Sequence, residues 1–194
     1  MTSKQSRIRG QIEASIAVKE AVLADQHIIA QIEALANLCI SSLKSGGKII
    51  FAGNGGSFAD AQHLSAEFTS RFLHDRIPLA SLALGTNNSS ISAIGNDYGY
   101  EQVFARELRG IEKTGDVFIP ISTSGNSPNI LAAVALAKDL NILTMALTGA
   151  SGGQLNPFCE CICVPSADVA RVQECHIMIG HILCGLVEKE YTKQ

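Results

Sequence analysis

The sequence predicts an α/β fold, a three-layer, doubly wound five-stranded parallel sheet flanked by helices, and three observations carry that expectation. Five strand-length runs, 48–52, 79–84, 117–121, 142–147 and 159–164, are nearly continuous in apolar character, as strands buried on both faces are. Helical patterns separate these runs, and strand alternating with helix builds a parallel sheet. The chain has 194 residues, of which 46% are hydrophobic, enough for one core but not for two large domains. Residues 1–194 therefore read as a single domain, with 1–45 forming N-terminal helices that pack outside the main body.

Taken in order, the first outer helix carries Ile8, Ile12, Ile16 and Leu23 as an apolar stripe. The second, His27 to Lys44, places Ile28, Ile32, Leu35, Cys39 and Leu43 at helical spacing and stops at Gly46-Gly47. A helix over Ser57 to Phe72 follows the first strand. After the second strand, the less regular stretch Thr86 to Gly99 reads as a site loop with a short helix, and Tyr100 to Ile111 as a further helix. Pro128 to Asp139 is the helix after the third strand, with Ser127 as its cap and Pro128 at its first position. A long final helix covers about Arg171 to Tyr191.

Composition excludes several classes. The formal charge of −3 offers no clustered basic surface for nucleic acid or anionic membrane. No apolar run approaches the roughly 18 residues that span a bilayer, so the expectation is a cytoplasmic protein. Of the six cysteines, Cys159, Cys161 and Cys163 alternate on one face of the last strand, which is neither zinc-ribbon spacing nor a disulfide frame. They read, with Cys39, Cys175 and Cys184, as buried reduced thiols.

In such a sheet, function lies beyond the carboxyl ends of the strands. The first strand runs into Gly53-Asn54-Gly55-Gly56-Ser57 at a helix start, where glycines let a ligand approach and free N–H groups favour an anion. Phe58 stands where the dinucleotide fingerprint has its third glycine, and no P-loop is present. By itself the loop is equally a tight strand-to-helix turn. A second loop, Ser122-Thr123-Ser124-Gly125-Asn126-Ser127, follows the third strand; capping explains Ser127, while the hydroxyls of Ser122, Thr123 and Ser124 can donate to phosphate oxygens. His63 and Glu67, four apart on one helix, face one way and can share a metal or merely form a surface pair. The final helix sets Arg171, Gln173, Glu174, His176 and His181 in an apolar stretch, where polar groups need partners. About 12 Å of helical rise separates Gln173 from His181, so they reach one ion only by leaning together or from different subunits.

Together, the Gly53–Ser57 loop, His63-x-x-x-Glu67, Asn96-Asp97, the Ser122–Ser127 loop and Gln173-Glu174-x-His176-x-x-x-x-His181 resemble the phosphoheptose isomerases, of the sugar-isomerase (SIS) fold, over nearly the whole chain. The resemblance implies conversion of sedoheptulose 7-phosphate to D-glycero-D-manno-heptose 7-phosphate by acid–base proton transfer through an enediol, for bacterial heptose biosynthesis. It implies a homotetramer with sites at subunit interfaces. Asn54, Gly55, Gly56, Ser57, Glu67, Asn96, Asp97, Ser122, Thr123, Ser124, Ser127 and Gln173 then bind substrate, and Glu67 and His181 are the catalytic acid–base pair. His63, Glu67, Gln173 and His181 match metal-binding positions, with zinc the expected ion.

Two positions depart from the family pattern: Ala170 replaces an acidic residue found in some members, with no role assigned to nearby Asp168, and Phe58 stands where a smaller residue is usual. The competing class is a non-catalytic SIS scaffold or sugar-phosphate sensor similar to the DnaA initiator-associating protein. Such relatives lack the matching Glu and His, and the presence of Glu67 and His181 favours the enzyme.

Overall fold

The computed structural model describes residues 3–192. Two outer helices, α1 (Lys4–Ala24) and α2 (Gln26–Lys44), meet at Asp25, whose carboxylate accepts from the His27 and Ile28 N–H groups and so starts α2. The strands are β1 (Ile49–Gly53), β2 (Ser81–Ala83), β3 (Val117–Ser122), β4 (Leu143–Gly149) and β5 (Glu160–Val164), and they form one parallel sheet in the order β2-β1-β3-β4-β5. The remaining helices are α3 (Gly56–Thr69), α4 (Asn88–Tyr98), α5 (Val103–Ile111), α6 (Pro128–Asp139) and α7 (Val169–Thr192).

Alternation along each strand divides the core between the two faces. Ile49, Phe51, Val117, Ile119 and Ile121 pack with α2, α3 and α7, whereas Ile50, Ala52 and Phe118 pack with α5 and α6. Because β2 and β3 lie on opposite sides of β1, the order reverses there, and the carboxyl ends of β1 and β3 flank a crevice. Both loops singled out in the sequence open onto it.

Helix α1 packs outside the body, tied to α7 by Ser15 Oγ donating to Glu174 Oε2 at 2.6 Å and by Arg171 Nη1 donating to the Gln11 carbonyl at 2.6 Å. Its Ile8, Ile12, Ile16 and Leu23 stay exposed. The six cysteines are free thiols; Cys39, Cys161, Cys175 and Cys184 are buried and Cys159 and Cys163 partly so. Among the described residues, no helix is long and apolar enough to cross a membrane.

Two expectations need correction. The second strand is shorter than 79–84, since the Leu79 N–H turns back to the Phe68 carbonyl rather than entering the sheet ladder. The stretch Thr86 to Gly99 is mostly a regular helix, α4, not a loop with a short one. Asn87 accepts from the N–H groups of Ser89 and Ser90 to start it, and Ile91 and Ile94 pack against the core one turn apart, a sparse apolar pattern that its Ser and Asn content obscured.

Candidate active site

At the end of β1, Gly55 takes φ +56 and ψ −119, a conformation open to glycine, and α3 begins at the next residue. Gly56 lies directly beneath the amide of Gln173, where a Cβ would come within 2.5 Å of Gln173 Nε2. Ser57 is buried against Gly53 and does not present its side chain to the crevice. Asn54 reaches across the crevice to α6: its Nδ2 donates to Asn129 Oδ1 at 2.8 Å, and Asn129 Nδ2 donates back to Asn54 Oδ1 at 2.9 Å. Tyr100 Oη is a second donor to Asn54 Oδ1, at 3.3 Å. Neither Asn129 nor Tyr100 was singled out in the sequence, because a lone amide inside a helix and a lone tyrosine carry no pattern; Asn129 sits in the first turn after Pro128, and that position was the only available signal.

The hydroxyl loop is held from behind. The Gly149 N–H donates to the Thr123 carbonyl at 3.0 Å and the Gln154 N–H to Asn126 Oδ1 at 3.0 Å. Gly125, at φ +66, approaches the Gly152 carbonyl so closely that a Cβ could not fit. Thr123, Ser124 and Ser127 are left at least partly open, whereas Ser122 is buried with its Oγ 3.2 Å from Ser127 Oγ. The expected Ser127 side-chain cap is not made: Ser127 holds the cap position of α6, but its hydroxyl is engaged with Ser122 instead. Beside the loop after β1 lies a cavity of about 300 Å³ whose walls include Asn54, Tyr100, Phe104 and Phe58. Phe58, the departure after the glycine loop, is thus a cavity wall.

Further along α3, three side chains converge. His63, Glu67 and His181 bring ligand atoms within 4.8 Å of one another. His63 Nε2 lies 2.9 Å from His181 Nε2 and 3.4 Å from Glu67 Oε1. The approach of α7 that permits this depends on Gly180, where a Cβ would come within 2.4 Å of the buried Leu64 side chain on α3. On its other side, the His181 ring stacks on Phe72, with centroids 5.6 Å apart and planes at 23°. Two imidazoles and a carboxylate aimed at one point are a donor set that suits zinc, and two ring nitrogens this close need a shared proton or cation between them. Gln173 stands over Gly56, two turns of α7 before His181. The structure therefore brings together three of the four expected metal ligands within one chain and sets Gln173 at the glycine loop.

Asn96 and Asp97 are exposed on α4, where Asn96 Nδ2 donates to Asp97 Oδ1 at 2.8 Å. Asp168 caps α7, accepting from the Ala170 N–H at 2.9 Å. His176 is a core histidine satisfied on one side only: fully buried, its Nε2–H donates to the Thr148 carbonyl at 3.1 Å, while Nδ1 has no partner. Burial pulls its pKa down to about 4 against the opposing effect of that hydrogen bond, so it is neutral. Asp60, three residues before His63, has a buried Oδ2 without a hydrogen bond; burial raises its carboxyl pKa and His63 works against that rise.

Residues 12–149 match the SIS domain family. The chain is 52% identical over 183 residues to a phosphoheptose isomerase of Aneurinibacillus thermoaerophilus, covering 94% of this chain and 92% of the relative. It is 51% identical over 191 residues to phosphoheptose isomerase 2 of Campylobacter jejuni, covering 98% and 95%. The solved structure of a phosphoheptose isomerase from Francisella tularensis superposes with a TM-score of 0.90 at 36% identity, covering 97% of this chain and 100% of that one. With the sheet order, the paired crevice loops and sequence identity spread over nearly its whole length all agreeing, this chain belongs to the phosphoheptose isomerases of the SIS-domain family.

Proposed function

We propose that this chain isomerises sedoheptulose 7-phosphate to D-glycero-D-manno-heptose 7-phosphate, for bacterial heptose biosynthesis. The observation that carries the reading is the convergence of Glu67 and His181 in a chain 52% identical to a phosphoheptose isomerase. An aldose–ketose isomerisation moves a proton between neighbouring carbons through an enediol. Glu67 takes the proton from C1 and returns it at C2. His181 gives a proton to the carbonyl oxygen at C2 and recovers one from the hydroxyl at C1, so the sum of protons is unchanged. Thr123, Ser124 and Ser127 hold the phosphate with Ser122 behind them on the Ser127 hydroxyl, and Asn54, Gly55, Gly56, Asn96, Asp97 and Gln173 orient the sugar, to which the buried Ser57 contributes through its backbone at the start of α3. Asn129 fixes the amide of Asn54 through their reciprocal hydrogen bonds.

His63, Glu67 and His181 would hold zinc, which when bound supplies positive charge for the oxygen that becomes anionic. Gln173, which stands over Gly56, would serve as a fourth donor only by leaning toward them or from another subunit of the assembly. Coordination lowers a carboxylate's basicity, so Glu67 must keep one oxygen for the proton. We further assign the protein to a homotetramer with its sites at subunit boundaries. Exposed Leu73, Ile77, Ile182 and Leu186 near the His63–Glu67–His181 cluster, and the bare stripe on α1, support this. Free cysteines throughout fit a reducing cytoplasm.

The test is turnover of sedoheptulose 7-phosphate by zinc-loaded protein. Chelation is expected to abolish the activity and added zinc to restore it. Glu67→Gln is expected to lower kcat by about 10²–10⁴ with an unchanged circular dichroism spectrum. No turnover by the metal-replete wild type overturns the reading, and near-normal turnover in the variant removes Glu67 as the base.

A further inference from the structure

After α3 the chain turns through residues 70–77, and one carboxylate from the end of α7 organises that turn. Glu188 is 1% exposed. It accepts from the Phe72 N–H at 3.0 Å, the Leu73 N–H at 2.7 Å, the His74 N–H at 3.1 Å and Arg76 Nε at 3.0 Å. Burial opposes its charged form, but these donors together hold its carboxyl below the usual carboxylate range. The Arg76 guanidinium, 5% exposed, turns its other nitrogens to the end of α3, donating to the Phe68 carbonyl at 2.9 Å and the Glu67 carbonyl at 2.8 Å. It adds donors at the end of the helix, where the Phe68 carbonyl also accepts from the Leu79 N–H.

Each end of this network leads to one of the reacting residues. Arg76 holds the backbone of Glu67, and Glu188 holds the backbone of Phe72, whose ring stacks on His181. Gly185, one turn after His181, lies beside the same ring, where a Cβ would make an ordinary contact at 3.5 Å. Glu67 and His181 stand on separate helices, and their relation is fixed by Gly180 at one level and by this network at the next. A surface ion pair would contribute little, but a buried carboxylate with four donors admits few alternative arrangements.

We infer that the Glu188–Arg76 pair is a positioning device that sets the geometry of Glu67 against His181 by way of Phe72. The inference rests on the isomerase reading for its consequence but not for its geometry. Its signature is a loss confined to the chemical step, because the phosphate loop lies at the opposite end of α3 and shares none of these bonds.

The experiment compares wild type with Arg76→Lys, which keeps the charge but loses the fork, and with Phe72→Leu, which leaves the pair intact and removes the ring. In each, kcat is expected to fall by about 10–100-fold while KM and inhibition by inorganic phosphate change less than about threefold. A second readout needs no turnover: the ring current of Phe72 shifts the Cε1 proton of His181, and in Arg76→Lys that resonance is expected to move toward its position in Phe72→Leu. If Arg76→Lys does not fold, Glu188→Gln, which removes the charge of the pair but keeps an acceptor for the turn, takes its place with the same two readouts. Unchanged kcat in folded variants overturns the inference, as does a parallel loss of kcat and phosphate binding, or a His181 signal in Arg76→Lys identical to wild type. Failure of the wild type to turn over the sugar would instead count against the isomerase reading, and the histidine signal would still test the network.

Discussion

Ser124 Oγ accepts from the Asn126 N–H at 3.1 Å, which spends a lone pair and leaves the hydroxyl proton to point into the crevice. Ser124→Ala is therefore expected to weaken phosphate binding by about 1–3 kcal/mol, read by calorimetric titration, while a phosphate-free sugar binds as before. Equal weakening for both ligands would make the loop structural. His176 makes a different kind of prediction. Its folded pKa is depressed from 6.5 to about 4, so its contribution is complete above pH 6.5. As the pH falls through that interval the unfolded chain takes up a proton that the folded chain refuses, and stability declines by about 3 kcal/mol by pH 4. Urea midpoints should fall with acid in the wild type and fall less steeply in His176→Gln, where nothing titrates.

Between elements, the packing of α3 against α7 is what turns two unremarkable helical faces into a site. The two run side by side in the same direction, with Gly56 under Gln173 at the start and Leu64 against Gly180 farther along. Gly180→Ala would push a methyl group into a Leu64 side chain that is 1% exposed and cannot swing aside. A destabilisation of about 1–3 kcal/mol is expected. Turnover should fall beyond what the lost stability explains, because the shift moves His181 relative to His63. Thermal melts beside kcat, measured well below the melting point, separate the two; a destabilised variant with full activity would show that the site tolerates a wider helix spacing.

At the level of the whole molecule, α1 is fastened to the body by its polar side while Ile12 is 56% exposed on the other. A helix gains most of its stability by packing an apolar face, and this one leaves its stripe uncovered within a single chain. Ile12→Asp is expected to lower the mass seen by light scattering and to reduce activity, with the circular dichroism of the sheet preserved. An active assembly of unchanged mass would mean that the stripe is not an interface.

Much of this was legible from local pattern. Apolar runs bounded by glycine gave the strands, the 3.6-residue period gave α2 and α6, and clustered hydroxyls beside a strand end marked the loop after β3 that opens onto the crevice, because each signal is carried by residues close together in sequence. Contact across the chain was not legible. Helical rise alone separates Gln173 from His181, and the sequence left open whether they meet; packing decided that His181 joins His63 and Glu67 while Gln173 covers Gly56. The role of Ser127 passed from helix cap to partner of Ser122, and Asn129, Arg76 and Glu188 acquired theirs only through neighbours that the fold supplies. A sequence determines periodicity and turn chemistry, which depend on nearest neighbours along the chain. Which buried polar group finds which partner depends on the distance of closest approach between helices, and here that distance was set by a glycine at position 180 that no local pattern distinguishes from any other.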